Sequence, residues 1–318
     1  MRLGLMIEGQ EGLDWGRWKR LLHAAEDLGF SSVYRSDHFF SLVGRTHKAS
    51  LETWTSLGYA AQETKRVRLG TLACPMTFRH PSLLARIAAQ TDALSGGRLD
   101  VGIGAGWNAV EHAAYGIPFP PLKTRMDMLE EGAQVLKLLW TGGPVNFQGA
   151  IYSLKDATCC PLPAQSPMPL LVGGTGVKRT LRIVARYADH WNAVSISLAD
   201  YGQRVAALEG YCKEIGRKPS AIKRSLMAGF VLGRHAAEIE QRYENVARYI
   251  SPEQRGAAGP SRDALLARGW FIGTPEQAVA QMRRWQEAGV QEIMLQHHDH
   301  EDIRVLELIA KEIMPKVA

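Results

Sequence analysis

No apolar run in this sequence of 318 residues approaches the roughly 20 residues that a bilayer-spanning helix needs. The first residues, MRLGLMIEG, are typical of a strand, and they lack the basic segment, apolar stretch and cleavage site of a secretory signal. We therefore expect a cytoplasmic protein that has no membrane partner.

Cysteine is scarce. The four cysteines are Cys74, Cys159, Cys160 and Cys212. They form no CxxC pair and have no zinc-ligand spacing with histidine, so we expect free thiols and no metal site. The segment HHDH at 297–300 does not change this, because adjacent histidines rarely converge on one ion. We expect it to be a solvated loop in which only His297 lies near a bound cofactor.

A dense basic stripe is also missing. The net charge of +6 comes from basic residues that are scattered among acids, which argues against a nucleic-acid partner. A mildly positive surface suits an anionic small molecule, such as a phosphorylated cofactor. The sequence contains neither a GxSxG segment nor a Walker motif.

What the sequence does contain is a regular alternation of short apolar strands with amphipathic helices. Eight such strands follow one another, beginning with residues 2–7 and ending with VQEIML. Near-continuous apolar strands indicate a parallel sheet that is covered on both faces. The count of eight predicts an α/β fold, a (β/α)8 TIM barrel with insertions, over an open sheet of two half-domains. We expect one domain spanning residues 1–318.

Two segments interrupt the alternation. Residues 142–168 contain GPVNFQGAIYSL, which predicts a small hairpin that turns near Gln148 and Gly149. Residues 250–268 are rich in glycine, alanine, proline and arginine. An insertion of this kind in a barrel is either a lid over the active site or a passive surface loop.

The catalytic face of such a barrel lies at the carboxyl ends of its strands. The second strand, SSVYRS, ends at Asp37 and His38. A histidine can give or take a proton near neutral pH, and a neighbouring aspartate can orient its ring. We therefore predict that Asp37 and His38 are catalytic rather than parts of a solvated turn.

A glycine-rich turn follows the fifth strand, PLLVGG. Gly173, Gly174, Thr175 and Gly176 lead directly into the helical segment KRTLRIVARYAD. Glycines allow the backbone to approach an anion, and the start of a helix offers free N–H groups. This turn predicts a phosphate site, although glycines also serve ordinary turns.

The fourth strand ends in GIGAGWN. This segment lacks the third glycine of a dinucleotide fingerprint, because Trp107 stands in its place. We interpret it as a strand whose backbone packs against a flat ring, so that Gly106 and Asn108 become candidate cofactor-binding residues.

Taken together, these segments resemble the luciferase-like monooxygenase superfamily, and in particular its coenzyme F420-dependent oxidoreductases. The matching segments are MRLGLMIEG, LGFSSVYRSDHFF, VRLGTLACPMTFRHPSLLAR, LSGGRLDVGIGAGWN, PLLVGGTG, ADHWN and GTPEQAV. The resemblance implies a barrel that holds a flavin-type ring, with Asp37 and His38 in the active site and the cofactor phosphate on Gly173 and Gly174. It also implies a non-prolyl cis peptide near Leu72 and Ala73, behind the ring, and a homodimer.

One position departs from the resemblance. Some F420-dependent relatives carry an acidic glutamate after the glycines of the fourth strand, where this chain has Trp107. Glu8 or His38 could replace that acid. Trp107 would then either wall an apolar substrate pocket or lie in the core.

The leading hypothesis is therefore hydride transfer between coenzyme F420 and a small organic substrate of unidentified structure. One alternative is an FMN-dependent monooxygenase that uses oxygen and reduced flavin from a partner reductase. A second alternative is a flavin-binding protein without catalytic activity.

Overall fold

Eight parallel strands close into a barrel. The structure, a computed structural model, describes residues 1–41, 47–249 and 261–317. Its strands are β1 Arg2–Ile7, β2 Ser32–Arg35, β3 Arg68–Thr71, β4 Cys74–Pro75, β5 Leu99–Gly104, β6 Val145–Gln148, β7 Ser153–Ala157, β8 Leu170–Gly173, β9 His190–Val194, β10 Lys223–Leu232, β11 Phe271–Gly273 and β12 Glu292–His297. The barrel order is β1-β2-β3-β5-β8-β9-β10-β12, and β12 pairs with β1. The predicted TIM barrel is confirmed, and the open sheet is excluded.

Helices cover the outside of the barrel. They are α1 Trp15–Asp27, α2 Thr53–Glu63, α3 Pro81–Ser95, α4 Ala109–Ala114, α5 Leu122–Leu139, α6 Thr180–Tyr187, α7 Leu198–Glu214, α8 Ala236–Ala247, α9 Arg262–Ala267, α10 Pro275–Glu287, α11 Ile303–Leu308 and α12 Met314–Val317. A π-helical turn, Ile309–Ile313, joins the last two. None of the helices in the described part of the chain is long and apolar enough to cross a bilayer.

Local signals explain where several helices begin and end. Thr274 and Gln277 form a reciprocal capping box at the start of α10, with proline at the first helical position. Gly96 ends α3 in the left-handed conformation, which glycine adopts without steric cost. These features are encoded within a few residues, which makes them visible in the sequence.

The apolar core has two main layers. The larger layer lies between the strands and the helices, and it includes Leu5, Val33 and Leu295. A smaller cluster fills the interior of the barrel. Its members are Met6, Tyr34, Leu72, Leu171 and Met294, with Met227 packed against them. This interior cluster fills the barrel beneath the carboxyl ends of the strands.

The hairpin in the first insertion is confirmed, because β6 and β7 pair in antiparallel fashion after a turn that includes Gly149. In the second insertion, residues 250–260 lie outside the described residues, and α9 occupies 262–267. The sequence did not predict β11, which pairs in parallel with the last residues of β10. It also did not predict the helical segment after β12.

Candidate active site

His38 lies just after β2 and is held by a carboxylate from another element. Its Nδ1 is 2.8 Å from Oε2 of Glu111, which belongs to α4. The Glu111 side chain is fully buried, and only 13% of the His38 side chain is exposed. The backbone N–H of Phe39 donates to the other oxygen of Glu111. Because both oxygens accept hydrogen bonds, the arrangement fits an ionised carboxylate that fixes the ring of His38.

The pKa of His38 reflects two opposing effects. Burial lowers it, but the hydrogen bond and the charge of Glu111 raise it, with smaller contributions from Glu8 and Asp37. The pKa of His38 therefore lies above its ordinary value. The ring favours the protonated form, and Nε2 is the ring nitrogen that Glu111 leaves for a substrate.

The sequence suggested that Asp37 orients the ring of His38, but the partner of Asp37 in the structure is Arg79. Its buried carboxylate forms an ion pair with both terminal nitrogens of Arg79, and Nη2 lies 3.2 Å from Oδ1. Arg79 also binds Glu52 at 2.8 Å. Asp37 thus influences His38 through its charge, whereas Glu111 orients the ring.

A surface of very small residues lies where β5 and β8 end. Gly104 and Gly173 flank Ala73, and a Cβ atom placed on either glycine would lie 3.7 Å from the Cβ of Ala73. The peptide bond between Leu72 and Ala73 is cis, which confirms the expectation drawn from the resemblance. This surface consists mainly of backbone, so a flat ring can approach it closely.

The glycine turn after β8 has the features of an anion site. Gly174 has a φ of +127°, and a Cβ on Gly176 would lie 2.8 Å from Oγ1 of Thr180. No side chain among the described residues caps the start of α6. The N–H groups of Gly174 and Leu181 donate to the carbonyls of Asn192 and Gly176, whereas those of Thr175 and Gly176 have no partner in the described part of the chain. Arg179 is directed to Asp127 and Glu130 of α5. The turn therefore offers mainly backbone donors, and it fits a phosphate.

The end of β5 carries one exposed aromatic ring. Trp107 is 66% exposed, which rules out a core position, and its ring lies edge-on to His38 with centroids 5.8 Å apart. Asn108 caps α4 by accepting the N–H of Glu111 at 3.2 Å. The carbonyl of Gly106 accepts a hydrogen bond from Arg125. Trp107 can therefore border a substrate beside His38.

The segment 297–300 is not the solvated loop that we expected. His297, His298 and His300 are all buried, and ring nitrogens of each lack a hydrogen-bond partner. His297 stacks on Phe230, and His298 stacks on Trp270. The helical segment after β12, which the sequence did not predict, places Val305 against this region. No group of three metal-ligating side chains occurs in the described ranges.

Glu8, which we considered as a substitute acid, accepts hydrogen bonds from two side-chain amides. Its oxygens accept from Gln10 at 2.7 Å and from Gln296 at 2.5 Å. It lies at the end of β1 and contributes negative charge near His38. Direct contact with His38 is made by Glu111 instead.

Glu111 is the site residue that sequence reasoning missed. The spacing Asn108-x-x-Glu111 is that of a helix start with an acidic third residue, and the sequence predicts a helix at about 108–115, where α4 lies. Nothing local in the sequence indicated that its third residue turns inward to His38.

Comparisons with known proteins show which family the chain belongs to. The chain is 27% identical to an F420-dependent glucose-6-phosphate dehydrogenase from Amycolatopsis mediterranei, over 92% of each chain. It is similar to the structure of an F420-dependent secondary alcohol dehydrogenase in complex with an F420-acetone adduct (TM-score 0.86, 22% identity, 100% and 99% coverage). It is also similar to a monooxygenase from Streptomyces bottropensis (TM-score 0.84, 25% identity, full coverage of both).

The model of the luciferase-like monooxygenase family matches residues 1–292, nearly the whole chain. The chain therefore belongs to the luciferase-like monooxygenase family.

Proposed function

We propose that this protein is an oxidoreductase that transfers a hydride between coenzyme F420 and a small organic substrate, with His38 as the group that moves the proton. The observation that carries the proposal is the buried contact between His38 and Glu111 beside an exposed tryptophan. A flavin-binding protein without catalytic activity would not need a histidine that a buried carboxylate holds in one orientation.

Three parts of the site fit the cofactor. Ala73, Gly104 and Gly173 would support its flat ring. The turn at Gly174 to Gly176 would bind its phosphate through the backbone N–H groups of Thr175 and Gly176. Leu72 lies directly below these three residues, in the interior cluster of the barrel. When bound, F420 supplies or accepts the hydride, and the chain contributes orientation and proton transfer.

His38 would do its work through Nε2. In the reduction of a carbonyl compound, the proton on Nε2 would pass to the substrate oxygen, and the carbon that bears this oxygen would receive the hydride. The ring is then neutral and still donates Nδ1–H to Glu111. In the oxidising direction, Nε2 takes the proton back from the substrate hydroxyl.

The similar proteins also support the choice of cofactor. The Amycolatopsis relative is named as F420-dependent, and so is the secondary alcohol dehydrogenase. Trp107 beside His38 suggests a substrate with an apolar part. We therefore favour small ketones, aldehydes, enones and the corresponding alcohols as the first compounds to test.

The experiment has two stages. Purified protein is first titrated with oxidised F420 and with FMN, following cofactor fluorescence. Turnover of reduced F420 with the compound panel is then compared between the wild type and His38→Asn. We expect F420 binding in both proteins and about 10²- to 10⁴-fold slower turnover in the variant. Tight FMN binding without F420 binding would reject the cofactor, and full turnover in the variant would reject the role of His38.

The similarity to the Streptomyces bottropensis monooxygenase favours a second candidate, an FMN-dependent monooxygenase. That function would require reduced flavin from a partner reductase. Oxygen consumption on mixing the protein with reduced FMN and the same compounds would support it, whereas oxygen-independent turnover with F420 would not.

A further inference from the structure

Glu111 and His38 come from distant parts of the chain, and barrel closure brings them together. Glu111 lies in α4, after β5, and its backbone N–H is fixed by the cap at Asn108. Its carboxylate has no exposure and accepts from both His38 Nδ1 and the Phe39 N–H. A buried carboxylate held by two donors has a fixed direction, and it fixes the direction of the ring it binds.

Other charges near His38 are already compensated or engaged. Asp37 is neutralised by Arg79, and the carboxylate of Glu8 accepts amide hydrogens from Gln10 and Gln296. On the remaining side, the ring of His38 faces the uncharged Trp107. Among these groups, Glu111 makes the direct ionic contact, so removing its charge should have the largest effect on His38.

We propose that Glu111 is a positioning residue that holds Nδ1 of His38 inward, stabilises the charged ring through its own negative charge and presents Nε2–H to the substrate. The last step rests on the proposed function, whereas the first two concern the protein alone. Because Nδ1–H stays bound to Glu111 throughout, the same nitrogen, Nε2, gives up and recovers the proton. The ring needs no rotation or exchange of tautomer between the two directions of the reaction.

The test is the variant Glu111→Gln, in which the amide oxygen can still accept the Phe39 N–H while the charge is lost. The pKa of His38 is measured by NMR on protein with isotope-labelled histidine, and His38→Asn assigns the signal. We expect the pKa to fall by about one unit or more. Glu130→Gln, which removes a carboxylate on α5 that binds Arg179 and Arg186, should leave it unchanged.

The pH profile gives a second measurement. Reduction requires protonated His38, so turnover of reduced F420 should decline at a lower pH in Glu111→Gln than in the wild type. Turnover lost equally at every pH would indicate a purely structural role and overturn the proposal. So would an unchanged pKa of His38 in a folded variant.

The wild type provides a measurement that does not depend on the variant folding. Above its pKa, the neutral ring of His38 should carry its proton on Nδ1, which nitrogen chemical shifts report directly. A proton on Nε2 instead would overturn the proposal. Both NMR measurements use protein without cofactor, so a failure to bind or oxidise F420 would refute the proposed function and leave this inference standing.

Discussion

His297 is a titratable ring that is almost wholly buried. It is 2% exposed, its Nε2 lacks a partner, and burial lowers its pKa to about 4. In the unfolded chain the same ring takes up a proton near its ordinary pKa of 6.5. Between these values the unfolded state binds the additional proton, so the free energy of unfolding decreases as the pH falls from 6.5 to 4.

We predict that His297→Phe makes stability less dependent on pH in this window. Phenylalanine has a similar shape and can stack on Phe230, but it takes up no proton. The slope of the unfolding free energy against pH, measured with urea between pH 7 and 4.5, should decrease by about 1.4 kcal/mol per unit. The control is His23→Phe at a half-exposed surface ring, and an unchanged slope in His297→Phe would contradict the prediction.

At the scale of elements, the turn between β8 and α6 joins a strand end to an uncapped helix start. Gly174 occupies a conformation that side chains rarely adopt, and its Cβ would lie 3.3 Å from Cγ2 of Thr180. A substitution there strains the backbone and displaces the N–H groups that we assign to the phosphate.

We predict that Gly174→Ala weakens F420 binding about tenfold or more, because hydrogen bonds to a charged group are lost. Fluorescence titration of oxidised F420 measures the effect. Gly202→Ala in α7, where the added methyl meets open space, is the matched control and should bind like the wild type. Equal affinity of both variants would place the phosphate elsewhere.

At the scale of the whole molecule, the two ends of the described chain meet. The terminal ammonium of Met1 donates to the carbonyl of Val317 at 2.6 Å, and β1 pairs with β12. The first strand and the last helix of the described chain therefore lie against each other. We propose on this basis that residues 1–318 form a single folding domain with two insertions. The cytoplasmic location that we expected from the sequence stays a prediction.

The outer face of α3 carries two exposed leucines, with the exposed polar residues Arg86 and Gln90 between them. Leu83 and Leu94 are 59% and 52% exposed, and they lie about three turns apart on the same side of the helix. Trp15, 47% exposed, packs against Tyr59 on the neighbouring helices α1 and α2. Exposed apolar surfaces commonly mark subunit contacts. We propose that the outer face of α3, together with Trp15 and Tyr59 beside it, forms the interface of a homodimer.

We predict that the wild type has twice the mass of the 35.1 kDa chain in light scattering, and that Leu83→Glu with Leu94→Glu has the mass of one chain. Charges buried in a symmetric interface without partners would oppose association. Leu138→Glu, at an exposed leucine of α5, should remain dimeric. A monomeric wild type would refute the proposed dimer.

The sequence by itself determined the order of the eight barrel strands and the end of the barrel at which we place the candidate site. Apolar periodicity, the capping pair Thr274 and Gln277 and the glycine turn at Gly173 act over a few residues, so they are visible before folding. The resemblance added the cis peptide at Leu72 and Ala73, which the structure contains. Element bounds shifted by a few residues, because strands end where neighbours stop pairing.

Only the tertiary structure decided the partners of charged side chains. Asp37 and His38 are adjacent in the chain, yet one binds Arg79 and the other binds Glu111. Likewise, the polar segment 297–300 is buried by packing that its own composition does not reveal. Such pairings depend on which distant residues barrel closure brings within a few ångströms, and no local pattern in the sequence contains that distance.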